Sequence, residues 1–292
     1  MKLLITGATG FLGWRSTVLL SERGHEVLAT ARPGGAERPH AGGLEVERVD
    51  AGDPAIGELI AGCDAVLHFA GMPDPARARQ DPARAVRENA GTTLNLLERC
   101  RDAGAGLVYP STVRAAASPP PDPYAYSKRL GELACELHEA RATALRLTSV
   151  FGPGQVAAEG ATGAIAAFAA RALAGEPIVI PGDPRRSRDF VYVDDVVETI
   201  ERVVLDSAWG RVLTVASGES TPLLRAAELV HEAVGSSVPI ETPGGELPPG
   251  EDDSYAPEPD TSPIYSRPRA LEEGISAYVE WLGRHPAAQG SA

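Results

Sequence analysis

The stretch Thr6-Gly-Ala-Thr-Gly-Phe-Leu-Gly13 decides how the rest of the chain is read. An apolar run, Lys2 to Thr6, precedes it and a helical stretch, Phe11 to Arg23, follows it, so Gly7, Gly10 and Gly13 occupy a turn from a strand into a helix. Glycines at such a junction permit a tight turn and close backbone approach to an anion. The N–H groups at the start of a helix, here those around Phe11 and Leu12, have no intrahelical partner and attract a pyrophosphate. The gap between the first two glycines is one residue longer than in the G-x-G-x-x-G form. The strand before and the helix after still predict dinucleotide binding.

Outward from this turn, β-like runs (Lys2 to Thr6, Glu26 to Ala31, Leu44 to Val49, Ala65 to Phe69, Gly106 to Ser111, Thr143 to Thr148) alternate with helical stretches (Phe11 to Arg23, Asp81 to Ala103, Tyr124 to Arg141). The alternation predicts an α/β fold with a Rossmann-type doubly wound parallel sheet over residues 1–150. Beyond it the helical stretches Gly163 to Ala174, Val193 to Leu205, Leu223 to Val234 and Arg269 to Leu282 are separated by short strands and loops. Residues 151–286 therefore read as a smaller mixed α/β carboxyl-terminal region on the substrate side, with returns from 190–215 able to extend the first domain. The stretch Pro239 to Pro268, rich in Pro and Gly and carrying Glu251, Asp252 and Asp253, reads as a loop without regular structure or a flap, and 287–292 as a frayed tail.

Composition narrows the function classes. A formal charge of -13 over 292 residues, with no long basic run, repels polyphosphate backbones and argues against nucleic acid as a partner. No apolar run reaches membrane-spanning length, and the cytoplasm is the expected location. Cys63, Cys100 and Cys135 are far apart and odd in number, which suggests neither a disulfide framework nor a metal site.

The end of the second strand bears on the choice of cofactor. NAD binding calls for an acidic residue there, but the run Val27 to Ala31 ends without one and Arg32 follows. A guanidinium at that place suits the 2'-phosphate of NADP(H), which is therefore expected over NAD(H), although a solvated loop arginine is the plain alternative. Asp50, after the third strand, is placed either to accept from the adenine amino group or to close its own turn.

Tyr124 and Lys128 are four apart at the start of a helix and share one face. An ammonium beside a phenol favours tyrosinate, so Tyr124 can exchange a proton with a carbonyl or hydroxyl while hydride moves to or from the cofactor. Tyr126 competes, but Leu130 stands four residues after it. Thr112, at the end of the strand Gly106 to Ser111, offers a hydroxyl for the substrate oxygen, with Ser111 as the fallback.

Taken together, these motifs resemble an extended short-chain dehydrogenase/reductase of the NAD-dependent epimerase/dehydratase type over nearly the whole chain. Val66-Leu-His-Phe-Ala70 resembles that family's fourth-strand segment, which implies that Phe69, Ala70 and Gly71 lie beside the cofactor. Asn89 with Asn95-Leu-Leu-Glu98 resembles its central helix, and Pro123-Tyr-Ala-Tyr-Ser-Lys128 its catalytic helix start. Arg188-Asp-Phe-Val-Tyr-Val-Asp-Asp195 is similar to its substrate-domain signature, implying that Arg188 meets the diphosphate of a nucleotide-sugar. By the same resemblance Thr112, Tyr124 and Lys128 form the catalytic set, Lys128 also holds the nicotinamide ribose, and Asn89 belongs to the cofactor side. Three departures stand out: Ser149 replaces an asparagine that often contacts substrate, Thr92 replaces a glycine, and the segment Arg114-Ala-Ala-Ala-Ser-Pro-Pro-Pro reaches Tyr124 sooner than usual.

The expected activity is NADPH-dependent reduction of a keto group on a nucleotide-activated deoxyhexose. The alternatives are a nucleotide-sugar epimerase with tightly held NAD, a reductase of a small carbonyl compound, and a non-catalytic cofactor-sensing protein. The resemblance also implies a homodimer packed through Asp81 to Ala103 and Tyr124 to Arg141, with Leu94, Leu97, Leu130, Leu133 and Leu137 as apolar residues for that face.

Overall fold

Leu3, Leu4 and Ile5 are all at most 2% exposed, although they point alternately to the two faces of their strand. A strand buried on both sides belongs inside a parallel sheet covered by helices. The computed structural model describes residues 1–35, 45–156, 163–246 and 268–289. The described residues fall into two compact units, one from 1–147 and 197–215, the other from 148–196, 216–246 and 268–289.

In the first unit the order is β1 (Lys2–Thr6), α1 (Phe11–Glu22), β2 (Glu26–Ala31), β3 (Glu47–Arg48), α2 (Ile56–Ile60), β4 (Ala65–His68), α3 (Pro75–Gln80) and α4 (Pro82–Val86). It continues with α5 (Thr92–Ala103), β5 (Gly106–Thr112), α6 (Pro123–Leu137) and β6 (Ala142–Leu147). The second unit supplies β7 (Ser149–Phe151), α7 (Ala164–Ala174), β8 (Ile178–Pro181), β9 (Ser187–Arg188) and β10 (Phe190–Tyr192). Helix α8 (Val193–Leu205) then carries the chain back to β11 (Arg211–Val215) of the first unit, before β12 (Thr221–Pro222), α9 (Leu223–Val234), β13 (Ile240–Gly244) and α10 (Leu271–Arg284) complete the second.

Seven parallel strands in the order β11-β6-β5-β4-β1-β2-β3 make the main sheet, so the expected doubly wound fold is present. The order reverses between β1 and β4, which is where sheets of this kind open a crevice at their carboxyl ends. On one face α5 packs Leu96, Leu97 and Cys100 against Leu4, Val66 and Leu107 in a single apolar cluster. Leu97 therefore faces its own core, which removes it from the proposed dimer face. Close packing of α6 on β5 depends on Gly131, where an added Cβ would lie 2.3 Å from the Tyr109 hydroxyl.

Two readings change. Residues 240–244 of the supposed irregular stretch form β13, parallel to β8; an edge strand tolerates Pro243, which has no N–H to offer a second neighbour. The remainder of that stretch, 247–267, lies outside the described residues. The third strand shrinks to Glu47–Arg48, with Leu44 also outside them. At the carboxyl end Ala288 is buried and Gln289 Nε2 donates to Leu282 O at 2.9 Å, and residues 290–292 are not described. Among the described residues no helix is long and apolar enough to cross a membrane.

Candidate active site

The glycine turn is set by its contacts. Gly7 has φ +66°, and a Cβ there would stand 2.6 Å from Ala70 N, while a Cβ on Gly13 would stand 2.2 Å from Gly7 O. Side chains are therefore excluded at both places, and the turn lies directly against the Phe69–Ala70 backbone. Gly10 caps α1 without a side-chain hydrogen bond, and no acidic residue occupies the first turn, which begins with Phe11 and Leu12. Bare N–H groups at a positive helix end, with no acidic side chain in that first turn, fit a dinucleotide pyrophosphate.

From this turn a chain of contacts leads to the helix that bears Tyr124. Thr6 Oγ1 lies 2.9 Å from His68 Nδ1 and accepts from Ala70 N at 3.2 Å, which fixes the end of β4 beside the end of β1. Gly71, at φ +147°, leaves room for Asn89, whose Oδ1 would stand 2.5 Å from a Cβ at that position. Asn89 sits in a widened π-helical turn, Arg87–Gly91, that aims its buried amide inward. Its Oδ1 accepts from Met72 N at 2.8 Å, and its Nδ2 donates to Met72 O at 3.0 Å and to Ser127 Oγ at 2.8 Å. The amide thus braces the loop after β4 against α6.

Helix α6 starts at Asp122, whose Oδ1 accepts from Ala125 N at 2.9 Å, with Pro123 in the first helical position. Lys128 is buried; its Nζ donates to Pro110 O at 2.8 Å and stands 4.9 Å above the Tyr109 ring. Burial pulls its pKa down to about 8, with the Glu132 charge opposing the shift. Burial and the neighbouring Lys128 push His68 down to about 3, so that imidazole stays neutral and adds no second cation. Tyr124, half-buried, packs against Met72, Ala78 and Ala85.

Thr112 ends β5 with its Oγ1 accepting from Arg114 N at 3.3 Å. Ser111 is committed elsewhere, since its hydroxyl donates to Glu132 Oε1 at 2.6 Å. Glu132 was not anticipated from the sequence. It also receives Arg146 Nε at 2.9 Å, Arg146 Nη2 at 2.7 Å and Arg129 Nη1 at 2.8 Å. Burial raises this carboxyl, but hydrogen bonds from Arg146, Ser111 and Arg129 outweigh it and hold it below the usual range. The signal lay in the spacing: Tyr124, Lys128 and Glu132 recur every four residues, so a charge on that stripe must face inward.

In the first unit Gly7 thus lies against Phe69 and Ala70, Gly71 against Asn89, Asn89 against Met72 and Ser127, and Lys128 against Pro110 of β5. Ser111 and Thr112 end that strand, and Tyr124 packs on Met72. Arg32 and Asp50 are exposed, one after β2 and the other after β3. Arg32 O accepts from Gly35 N at 3.1 Å, and Asp50 Oδ1 closes its own turn on Gly52 N at 2.7 Å. In the second unit Ser149 N donates to Asp189 O at 3.0 Å, and buried Arg188 donates from Nη1 to Ser187 O at 2.8 Å. Asp189, fully buried, organises this part: it accepts from Thr148 Oγ1 at 3.0 Å, Ser217 N at 2.9 Å and Gly218 N at 2.7 Å.

Comparison with known proteins bears on the family and the fold. The family model described as NAD dependent epimerase/dehydratase matches residues 3–215. UDP-glucuronic acid decarboxylase 1 of Arabidopsis thaliana is 26% identical over 289 residues, covering 90% of this chain but only 64% of its own length. The chain thus spans just under two thirds of that relative. A dTDP-4-dehydro-6-deoxy-D-allose reductase of a Streptomyces species is 31% identical over 267 residues, covering 80% of this chain and 81% of that protein. Among solved structures, UDP-glucose 4-epimerase from Thermotoga maritima, with UDP-glucose bound, has a TM-score of 0.84 at 25% identity, covering 97% of this chain and 99% of that one.

Proposed function

Because the chain belongs to the NAD dependent epimerase/dehydratase family, we propose that it reduces a keto group on a nucleotide-activated deoxyhexose with NADPH, using Thr112, Tyr124 and Lys128. The observation that carries the choice of NADPH is the end of β2: no carboxylate stands there, and exposed Arg32 follows at once. A bidentate guanidinium contact with a 2'-phosphate contributes about 1.5 to 3 kcal/mol, or roughly tenfold to a hundredfold in affinity.

When bound, a reduced nicotinamide would supply the hydride for the carbonyl carbon. Tyr124 gives its phenolic proton to the carbonyl oxygen as the alcohol forms, and the Thr112 hydroxyl donates a hydrogen bond to that same oxygen. Lys128, held by Pro110 O, keeps an ammonium beside the phenol and favours the anion left when the proton departs. Gly7 to Gly13 would hold the pyrophosphate and Phe69 to Gly71 would lie beside the cofactor, while Asn89 ties Met72, just after them, to Ser127 of α6. Arg188 is assigned to the substrate diphosphate and Ser149 to the sugar.

The test is a pair of fluorescence titrations with NADPH and NADH on wild type and Arg32→Asp, with an assay for cofactor released on denaturation. NADPH is expected to bind more tightly to the wild type, and the aspartate variant to reverse the order. Tighter NADH binding by the wild type refutes the role given to Arg32. Stoichiometric NAD in the purified protein supports instead an epimerase that never releases its cofactor, the activity named for the Thermotoga maritima protein.

We also propose a homodimer. Leu94 on α5 and Tyr126, Leu130 and Leu137 on α6 are 47%, 47%, 43% and 81% exposed, and the two helices touch. Apolar side chains on two adjoining helices suit a self-complementary contact. Light scattering at micromolar concentration is expected to give twice the chain mass; a monomer there excludes the dimer.

A further inference from the structure

The connection between Thr112 and Tyr124 is short, and its two ends are tied to each other. Thr112 accepts from Arg114 N at 3.3 Å and so caps a single 3-10 turn, Val113–Ala116, which packs on α6. The guanidinium of Arg114 forms an ion pair with Asp122 Oδ2. Asp122 is the residue whose other oxygen caps α6 through Ala125 N, one position beyond Tyr124. Its side chain is 1% exposed and that of Arg114 is 14% exposed. Arg79 of α3 approaches the same oxygen only to 3.9 Å.

A buried carboxylate at a helix start is stabilised by the helix N-terminus, but it still requires a charged partner. Arg114 meets that need from the residue whose own N–H touches the Thr112 hydroxyl. Further along, α6 is tied to β5 by Lys128 Nζ on Pro110 O and by Glu132 on Ser111, at the second and third turns. The Arg114–Asp122 pair ties the turn that bears Tyr124.

We propose that Arg114 is a positioning residue: through Asp122 it holds the helix start that carries Tyr124 against the strand end that carries Thr112, so that two hydroxyls on separate elements converge on one substrate oxygen. This rests on the proton-transfer roles given above to those two residues. Misplacement by about 1 Å lowers the rate of such a step by up to a hundredfold without weakening binding elsewhere.

The experiment compares wild type, Arg114→Met, Arg114→Lys, Asp122→Asn, the Arg114→Met/Asp122→Asn double variant and Tyr124→Phe as full-length protein. Turnover is followed with two probes, NADPH with a dTDP-4-dehydro-6-deoxyhexose and NAD with UDP-glucose. Backbone hydrogen exchange is read on peptides covering 113–117 and 122–126. With Arg114→Met we expect kcat to fall at least tenfold while KM and cofactor Kd change less than twofold, exchange to rise at least tenfold in both peptides, and Arg114→Lys to recover most of each. The double variant should lose no more than the worse single one, because both act through one contact; it also removes both buried charges should a single variant fold poorly. Unchanged exchange at 122–126 in Arg114→Met overturns the brace even where neither probe is turned over. An unchanged kcat does so where one is. A Tyr124→Phe protein at full rate refutes the proton-transfer reading instead, which separates the two failures.

Discussion

Replacing Glu132 by Gln tests whether the buried carboxylate network under the proposed active site holds it together. Glu132 has a side chain only 1% exposed and serves Arg146 with both oxygens. It also accepts from Ser111 and from Arg129, but the latter is 38% exposed and contributes little. Removing one partner of a buried pair costs about 3 to 5 kcal/mol. Glutamine keeps one oxygen for Ser111 or Arg146, so about 2 to 3 kcal/mol is expected, roughly a 30- to 150-fold change in the folded-to-unfolded ratio. The folded-state pKa of Glu132 is depressed. Its contribution is therefore complete above the unfolded carboxylate value and is lost as pH falls through the folded one. Urea unfolding followed by tryptophan fluorescence should show the full difference at neutral pH and a shrinking one in acid. Exchanging both Glu132 and Arg146 for Met should recover much of the loss, since neither member of that pair is then left inside without the other. A loss below about 1 kcal/mol at pH 7, or one that does not change between pH 7 and 3, refutes this reasoning.

Further outcomes follow from the same geometry. Tyr124→Phe should lower kcat by at least about a hundredfold with cofactor affinity nearly unchanged, measured by steady-state kinetics and fluorescence titration. Lys128 is brought down to about 8 by burial, so turnover that needs its ammonium should decline as pH rises through that value; because Glu132 opposes that shift, the decline should move to lower pH in Glu132→Gln, and an unmoved pH profile counts against the assignment. Gly131→Ala, ordinarily favourable in a helix by up to about 1 kcal/mol, should instead destabilise, because its Cβ would meet buried Tyr109; a raised melting temperature contradicts that.

Strong local patterns could be read from the sequence with little error. β1, β2, α8 and α9 fall on the residues expected, because each is an apolar run or stripe bounded by Gly, Pro or a charge cluster. The short helices α2 and α3 were missed, since five or six residues carry no usable period. The long helix expected from Asp81 to Ala103 divides into α4, a π turn and α5. The widened turn carries Asn89, whose partners Met72 and Ser127 lie on other elements, and such tertiary contacts leave no local signal. In the candidate site, the glycines and the Tyr124–Lys128 pair were visible as spacing. Glu132, Asp122 and Asp189 were not, because most partners of these carboxylates come from elements 14 to 41 residues away or lie across a loop. Ser111, the fallback to Thr112 for the substrate oxygen, donates instead to Glu132, a partner 21 residues away.

The place of β11 in the sheet has a consequence for how the chain is made. β6 pairs with β5 on one side and with β11 on the other, yet β11 is synthesised more than sixty residues after β6 ends. Until it emerges from the ribosome, the nascent chain presents Ala144, Leu145 and Leu147 beside a row of unpaired backbone groups, a surface that invites pairing with another chain. Residues 1–150 produced alone would keep that edge permanently. Such a fragment is expected to accumulate in aggregates, and co-expression of a segment spanning 190–215 is expected to return part of it to solution.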